Sequence, residues 1–183
     1  MSTLKSKIVS LIERTPEEEN SLKVLFVDEL KDIYWAEKHL VKGLKKLADG
    51  STSDKLKNAF TTHLSETEGQ IARLEQVFKS VGEEAEAKKC EAMNGLLKEA
   101  EELLSDTEEG TEVRDVALIS AAQKCEHYEI ATYGTLKTLA GVLGYEEAKK
   151  LLEETLAEEK NADKLLSEIA EGGVNISASK EKE

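Results

Sequence analysis

Four glutamates in this chain are paired by a single internal shift. Laying Gly43-Leu44-Lys45-Lys46-Leu47-Ala48 over Thr135-Leu136-Lys137-Thr138-Leu139-Ala140 sets an offset of 92 residues, and Leu64 then falls on Leu156 and Leu74 on Leu166. The same offset carries Glu37 onto Glu129 and Glu66 onto Glu158, although neither pair defines it. The other identities are mostly Leu, Ala or Lys, which any two helical hairpins of like composition share, so the glutamates are the informative part. Hairpins related by a pseudo-two-fold axis would bring four such carboxylates to one level of a bundle. They cannot all stay ionised in low dielectric unless cations neutralise them. The chemistry this implies is a pair of bound metal ions.

Two further residues break the repeat. Glu126 lies three residues before Glu129, on nearly the same helical face, where the repeat mate is Tyr34; His63 lies three before Glu66, where the mate is Thr155. Both are candidate ligands, and His63 can equally be a buried hydrogen-bonded imidazole beside the ligands. A site rich in carboxylates with few imidazoles suits two iron or manganese ions better than structural zinc. In the last long helix Glu158, Glu159 and Asp163 cannot all face one point; the repeat favours Glu158. His127 turns about 100° from Glu126 on an ideal helix, which favours a packing or subunit-surface role, and His39 is read as structural. Tyr34 and Tyr133 fill the core with hydroxyls that can reach the carboxylates. Trp35 suits a subunit contact or the core. Cys90 and Cys125 fit no metal-ligand spacing and are expected to be reduced and inert.

Long helices must carry these residues. Apolar positions at helical spacing run over 22–48 and stop at Asp49-Gly50-Ser51-Thr52; a second stripe over 53–81 stops at Gly82, a third helix spans 111–143 up to Gly144, and a fourth spans 145–171 up to Gly172-Gly173. The chain crosses over between residues 83 and 110, where Met93, Leu96, Leu97, Ala100, Leu103 and Leu104 predict a shorter amphipathic helix. Ahead of the bundle, residues 4–13 form a short amphipathic helix, followed by the capping signal Thr15-Pro16-Glu17-Glu18. The organisation expected is an N-terminal helix and linker over 1–20, an all-α, ferritin-like four-helix bundle with a crossover helix over 21–171, and a disordered tail over 172–183.

Composition limits the partners. With 38 acidic and 25 basic side chains among 183 residues, the formal charge of -13 repels phosphate backbones and anionic membranes. No nucleic acid and no membrane partner is expected. No apolar run approaches the roughly 20 residues of a membrane span, and the first ten residues lack the apolar core of a secretory signal, so the expected location is cytoplasmic.

With those residues in view, the chain resembles the YciE/YciF-like bacterial stress proteins, a ferritin-like family of unknown function. The likeness covers about residues 22–171 and is carried by ELKDIYWAEKHL, THLSETEGQIARLE, DVALISAAQKCEHYEIATYGTL and LLEETLAEEKNADKLL, one stretch in each long helix. It implies a ferritin- or rubrerythrin-like bundle that forms a homodimer, a candidate di-metal centre, and a link to general or osmotic stress. Under it Glu37, Glu66, Glu129 and Glu158 look like the four core glutamates, and Glu126-x-x-Glu129 resembles the doubled glutamate of rubrerythrins. The rubredoxin-like cysteine site of rubrerythrins is lacking. The chain also departs from the common di-iron pattern, which places a histidine three residues after a glutamate, since Gly69 and Asn161 stand there.

Two functional readings follow. In the first, Glu37, Glu66, Glu129 and Glu158 hold two iron or manganese ions, with Glu126 bridging and His63 available, for peroxide or iron handling. In the second, a non-enzymatic dimer acts through protein contacts, with the exposed apolar faces of the 4–13 and 93–104 helices as contact surfaces.

Overall fold

The computed structural model describes residues 20–182, and the expected 4–13 helix lies outside the described residues. The long elements are α1 (Ser21–Gly50), α2 (Asp54–Ser80), α3 (Glu91–Asp106), α4 (Glu112–Val142) and α5 (Glu146–Ile169), followed by a π-helical turn (Ala170–Val174) and α6 (Asn175–Ala178). Side-chain caps start several of them. Asn20 Oδ1 accepts from the Leu22 amide at 3.0 Å, Ser53 Oγ from Leu56 at 3.3 Å, and Thr111 Oγ1 from Arg114 at 3.2 Å. The stop after α4 is Gly144, whose φ of +77° is one that a side-chain-bearing residue rarely adopts.

The four long helices α1, α2, α4 and α5 form an all-α bundle, in which α1 pairs with α2, α4 with α5, α2 with α5 and α1 with α4. The crossover α3 runs alongside α1 in the same direction, so the chain returns to the far end of the bundle before α4 begins. Lys31 meets Glu86 and Lys46 meets Glu101, each at 2.5 Å, which ties the connection to α1 at two levels. Gly43 and Gly50 let it come close: a Cβ at these positions would lie 2.6 Å from Leu97 Cδ2 and 2.5 Å from Leu104 Cδ1. The apolar side of α3 is thereby turned inward, with Met93 and Ala100 buried and Leu97 and Leu104 packed on the core. This corrects the expectation that the 93–104 helix offers an exposed apolar face.

The far end is clamped by Asp115, which is fully buried at the start of α4. Its carboxylate accepts from the Thr52 amide at 2.7 Å and the Ser53 amide at 2.9 Å, fixing the α1–α2 turn against the second hairpin. Beyond α5 the chain continues through the π-helical turn and α6. Val174 packs on the core, and the Glu181 carboxylate accepts from the Glu112 and Val113 amides at 2.8 and 3.1 Å, an anion placed on the positive end of α4. Among the described residues no helix is long and apolar enough to cross a membrane.

Candidate metal centre

Each long helix presents a buried stripe, and near its middle the apolar residues give way to polar ones. On α1 the stripe reads Phe26, Leu30, Ile33, Glu37, Leu40, Leu44; on α2 it reads Leu56, Phe60, His63, Thr67, Gln70, Leu74. On α4 it carries Glu126, Glu129 and Tyr133, and on α5 it carries Thr155 and Glu159 between Leu152 and Leu166. Glu37, Glu129 and Glu159 have no exposed surface, Glu126 retains 2% and His63 5%. Packing apolar layers above and below this set shields it from solvent.

One ligand atom from each of His63, Glu126, Glu129 and Glu159 lies within 4.8 Å of the others, so this group could hold a metal ion. His63 Nε2 is 3.2 Å from Glu126 Oε1 and 3.7 Å from Glu159 Oε2, while its Nδ1 is 3.4 Å from Glu66 Oε2. Among the described residues, seven buried atoms find no hydrogen-bond partner: Glu37 Oε2, His63 Nε2, Gln70 Oε1, Glu126 Oε2, both Glu129 carboxylate oxygens and Glu159 Oε2. Buried polar atoms are ordinarily satisfied. Here they are orphaned together, on facing helices, in a donor set of oxygen and imidazole nitrogen. That is the arrangement expected of groups whose missing partner is a cation.

The electrostatics agree. Burial pushes the Glu37 carboxyl up to about 7, even though a hydrogen bond from the Tyr133 hydroxyl and the nearby His63 pull it back. Burial, reinforced by Glu159, Glu37 and Glu126, raises Glu129 well above the usual carboxylate range. Glu159 is raised likewise by burial, against the pull of His63. Burial alone would lower the His63 pKa, but Glu126 and Glu66 beside its two ring nitrogens and the charge of Glu159 hold it well above that of a free imidazole. Without an ion, protons must do the neutralising.

Glu37, Glu126, Glu129 and His63 are buried in this layer, while Glu66 and Glu158 stand half-buried at its edge, Glu66 against His63 and Glu158 beside Glu159 on the Gln70 amide. Glu158 is half-buried and turned to Arg73, whose guanidinium donates to both of its oxygens at 2.7 and 2.8 Å; although burial works the other way, this pairing holds its pKa low. Glu159, one residue on, points inward instead, where the Gln70 side-chain amide donates to it and also to Glu158 at 3.1 Å. Sequence reading left the choice among Glu158, Glu159 and Asp163 open and favoured Glu158 by the repeat. Arg73 on α2 explains why that residue stays at the rim. Glu66 is also half-buried and touches only His63. Asp163 accepts from Gln123 at 3.1 Å and lies 3.4 Å from His127, which is mostly exposed and turned away from the cluster.

Gln70 and Thr67 of α2 are, with Thr155 of α5, the buried polar residues of this layer that sequence reasoning missed as partners of the glutamates. The signal of Gln70 and Thr67 was present, since both lie on the α2 stripe at the spacing of Phe60, His63 and Leu74. Of the two tyrosines, Tyr133 donates to Glu37, while Tyr34 donates to Glu75 at 2.8 Å outside the cluster. His39 stacks on Trp35 with ring centroids 3.6 Å apart. Both cysteines are free and buried, and burial pushes the Cys125 thiol up to about 12, which makes it inert.

Comparison with known proteins gives concordant results. A family model described as a domain of unknown function, DUF892, matches residues 21–179. Protein YciF of Escherichia coli is 51% identical over 159 residues, spanning 86% of this chain and 95% of that protein. The crystal structure of that E. coli stress protein superposes with a TM-score of 0.81, at 52% identity, covering 84% of this chain and 97% of that one. YcfI of Rhodopseudomonas palustris gives a TM-score of 0.78 at 39% identity, covering 83% of this chain and 96% of that one.

Proposed function

The chain belongs to the DUF892 family, and on that premise we propose that it is a stress-response protein whose buried glutamate–histidine layer holds two iron or manganese ions for peroxide or iron handling. The observation that carries this reading is the set of seven orphaned buried polar atoms on facing helices. Charge supports two ions. The four buried carboxylates of Glu37, Glu126, Glu129 and Glu159 would carry four negative charges, which two divalent cations balance with His63 neutral. One ion fits the group of His63, Glu126, Glu129 and Glu159. The second would draw on Glu37 and share Glu129, both of whose oxygens are free.

When bound, such ions supply redox chemistry toward peroxide or dioxygen. The protein's own groups have assigned tasks. Gln70 fixes one oxygen of Glu159, so the other faces the centre; Tyr133 does the same for Glu37. In the metal-free protein the Glu37 carboxyl, pushed up to about 7 by burial, takes up or releases a proton near neutral pH. Arg73 keeps Glu158 at the rim, and the apolar layers of the stripe exclude bulk water. Glu66 reaches His63 from the half-buried side and would orient it.

The test is metal analysis of protein purified in air and of protein reconstituted with ferrous iron or manganese, followed by peroxide consumption. About two ions per chain, and consumption that is lost in Glu129→Gln, are expected. A wild type that takes up neither metal on reconstitution refutes the reading. The homodimer and cytoplasmic location expected from the sequence belong to the same proposal, and light scattering checks the first.

A further inference from the structure

Two separate cavities reach Glu126, and they differ in size and in character. On the α2–α5 side, a space of about 50 Å³ is lined by His63, Glu66 and Glu126 together with apolar residues. Given a share of roughly 30 Å³ per water molecule, it admits one or two waters. On the opposite side, beneath the crossover helix, a cavity of about 320 Å³ lies between α1, α3 and α4. Its walls are made by Leu44 and Leu47 of α1, Leu97 and Ala100 of α3, and Ala122 of α4, and Cys125 and Glu126 line it on α4. Three lysines, Lys42, Lys46 and Lys98, line it where α1 and α3 meet solvent, and Lys46 pairs with Glu101 across that seam.

We propose that the cavity beneath α3 is a binding site for a small, uncharged, mainly apolar molecule that ends in a single hydrogen-bond donor, and that this end meets Glu126. The volume sets the size: an apolar protein cavity of about 150 Å³ holds benzene, so this one takes a molecule of roughly ten non-hydrogen atoms. The lining is mainly apolar, with leucine and alanine side chains that offer a ligand no partners, and its polar members besides Glu126 are His39, Asn94, Glu101 and the three lysines. Glu126 sets the head group and its direction. It is 2% exposed, and its side chain lines the cavity. A carboxylate there accepts a hydrogen bond from a hydroxyl or hydroperoxyl group, and it repels a carboxylate head. The inference rests on the proposed metal centre at one point alone, that Glu126 joins the cavity to the centre.

The experiment uses the full chain with octan-1-ol as probe. Calorimetry on chelator-treated protein should show one site, and octanoate should bind at least tenfold more weakly than the alcohol. Ala100→Phe, whose ring fills the cavity, should cost at least tenfold in octan-1-ol affinity with helicity unchanged. Should that variant fail to fold, Leu97→Ala serves instead, since it enlarges the space and should shift the preference from octan-1-ol toward decan-1-ol. In crystals soaked with 8-bromooctan-1-ol, the bromine should lie between α1 and α3 with the hydroxyl at Glu126. Octanoate binding as tightly as the alcohol, affinity unmoved in Ala100→Phe or chain-length preference unmoved in Leu97→Ala, bromine elsewhere, or protein chain occupying the cavity would each overturn the proposal. Metal uptake measured on the same samples separates the two readings. Uptake without alcohol binding refutes the cavity proposal alone, and alcohol binding without uptake refutes the metal centre alone.

Discussion

Acidifying the metal-free protein should stabilise it, and Glu37 gives the size of the effect. Its carboxyl moves from 4.5 to about 7 on folding, so between those values the folded state holds a proton that the unfolded state has released. Stability therefore falls as pH rises through that window, by roughly 1.4 kcal/mol per pH unit, or about 3 kcal/mol from Glu37 across the range. Glu129 and Glu159, also raised, act with the same sign. His63 does too: the stability it contributes is complete below the ordinary imidazole range and is lost as pH rises through its higher folded value. The chain's charge of -13 changes over the same pH range, so the contribution of Glu37 has to be isolated by difference. Glu37→Gln keeps an oxygen to accept from Tyr133 and removes the titration. Urea unfolding in the presence of chelator, at pH 5, 6, 7 and 8, should show variant and wild type nearly equal at the acid end. By pH 7 to 8 the variant should be about 3 kcal/mol more stable. Parallel curves for the two proteins would show that Glu37 is not forced to ionise in a dry site, and the electrostatic argument for a cation there would fail. Saturating manganese should invert the wild-type trend, because ligands bind metal only when deprotonated.

Three other expectations concern single residues. Glu159→Gln should weaken metal binding by at least tenfold, while Glu158→Gln should leave it within about threefold; competition with a chromophoric chelator measures both, and the reverse order would return Glu158 to the centre. Asp115→Ala strips two amides, those of Thr52 and Ser53, of their acceptor at a buried position, and should cost about 2–3 kcal/mol in urea unfolding. Gly144→Ala forces a side-chain-bearing residue to a φ of +77° and should cost about 1–2 kcal/mol at an unchanged m-value.

The bundle was legible in the sequence because its determinants are local. Helical spacing, caps and glycine stops mark each long helix to within a few residues of where it lies, and the 28-residue gap from 83 to 110 required a crossover. The end of the chain was not legible in the same way. VNISASKEKE has the composition of a solvated tail, and nothing in it announces the contact of the Glu181 carboxylate with the amides at the start of α4.

The centre was legible in half, and the reason lies in which signal was followed. The repeat relates backbone positions, and the two residues it pairs, Glu66 and Glu158, are both half-buried at the edge, one on His63 and the other on Arg73. Burial follows the stripe instead. On α5 the stripe runs Leu152, Leu156, Glu159, Ala162, Leu166, spaced by three and four, with Thr155 beside it, and Glu158 lies one residue, about 100° of rotation, from Glu159. The same rule selects His63 over Glu66 on α2, and Glu37 on α1 and Glu126 with Glu129 on α4. A glutamate on an apolar stripe costs several kcal/mol unless something neutralises it, whereas one beside the stripe costs little. The stripe therefore tests each carboxylate energetically, and the repeat does not. By that test the layer is asymmetric, with three carboxylates from the second hairpin facing one carboxylate, one imidazole and one amide from the first. An ion in the group of His63, Glu126, Glu129 and Glu159 would thus draw three of its four ligands from α4 and α5.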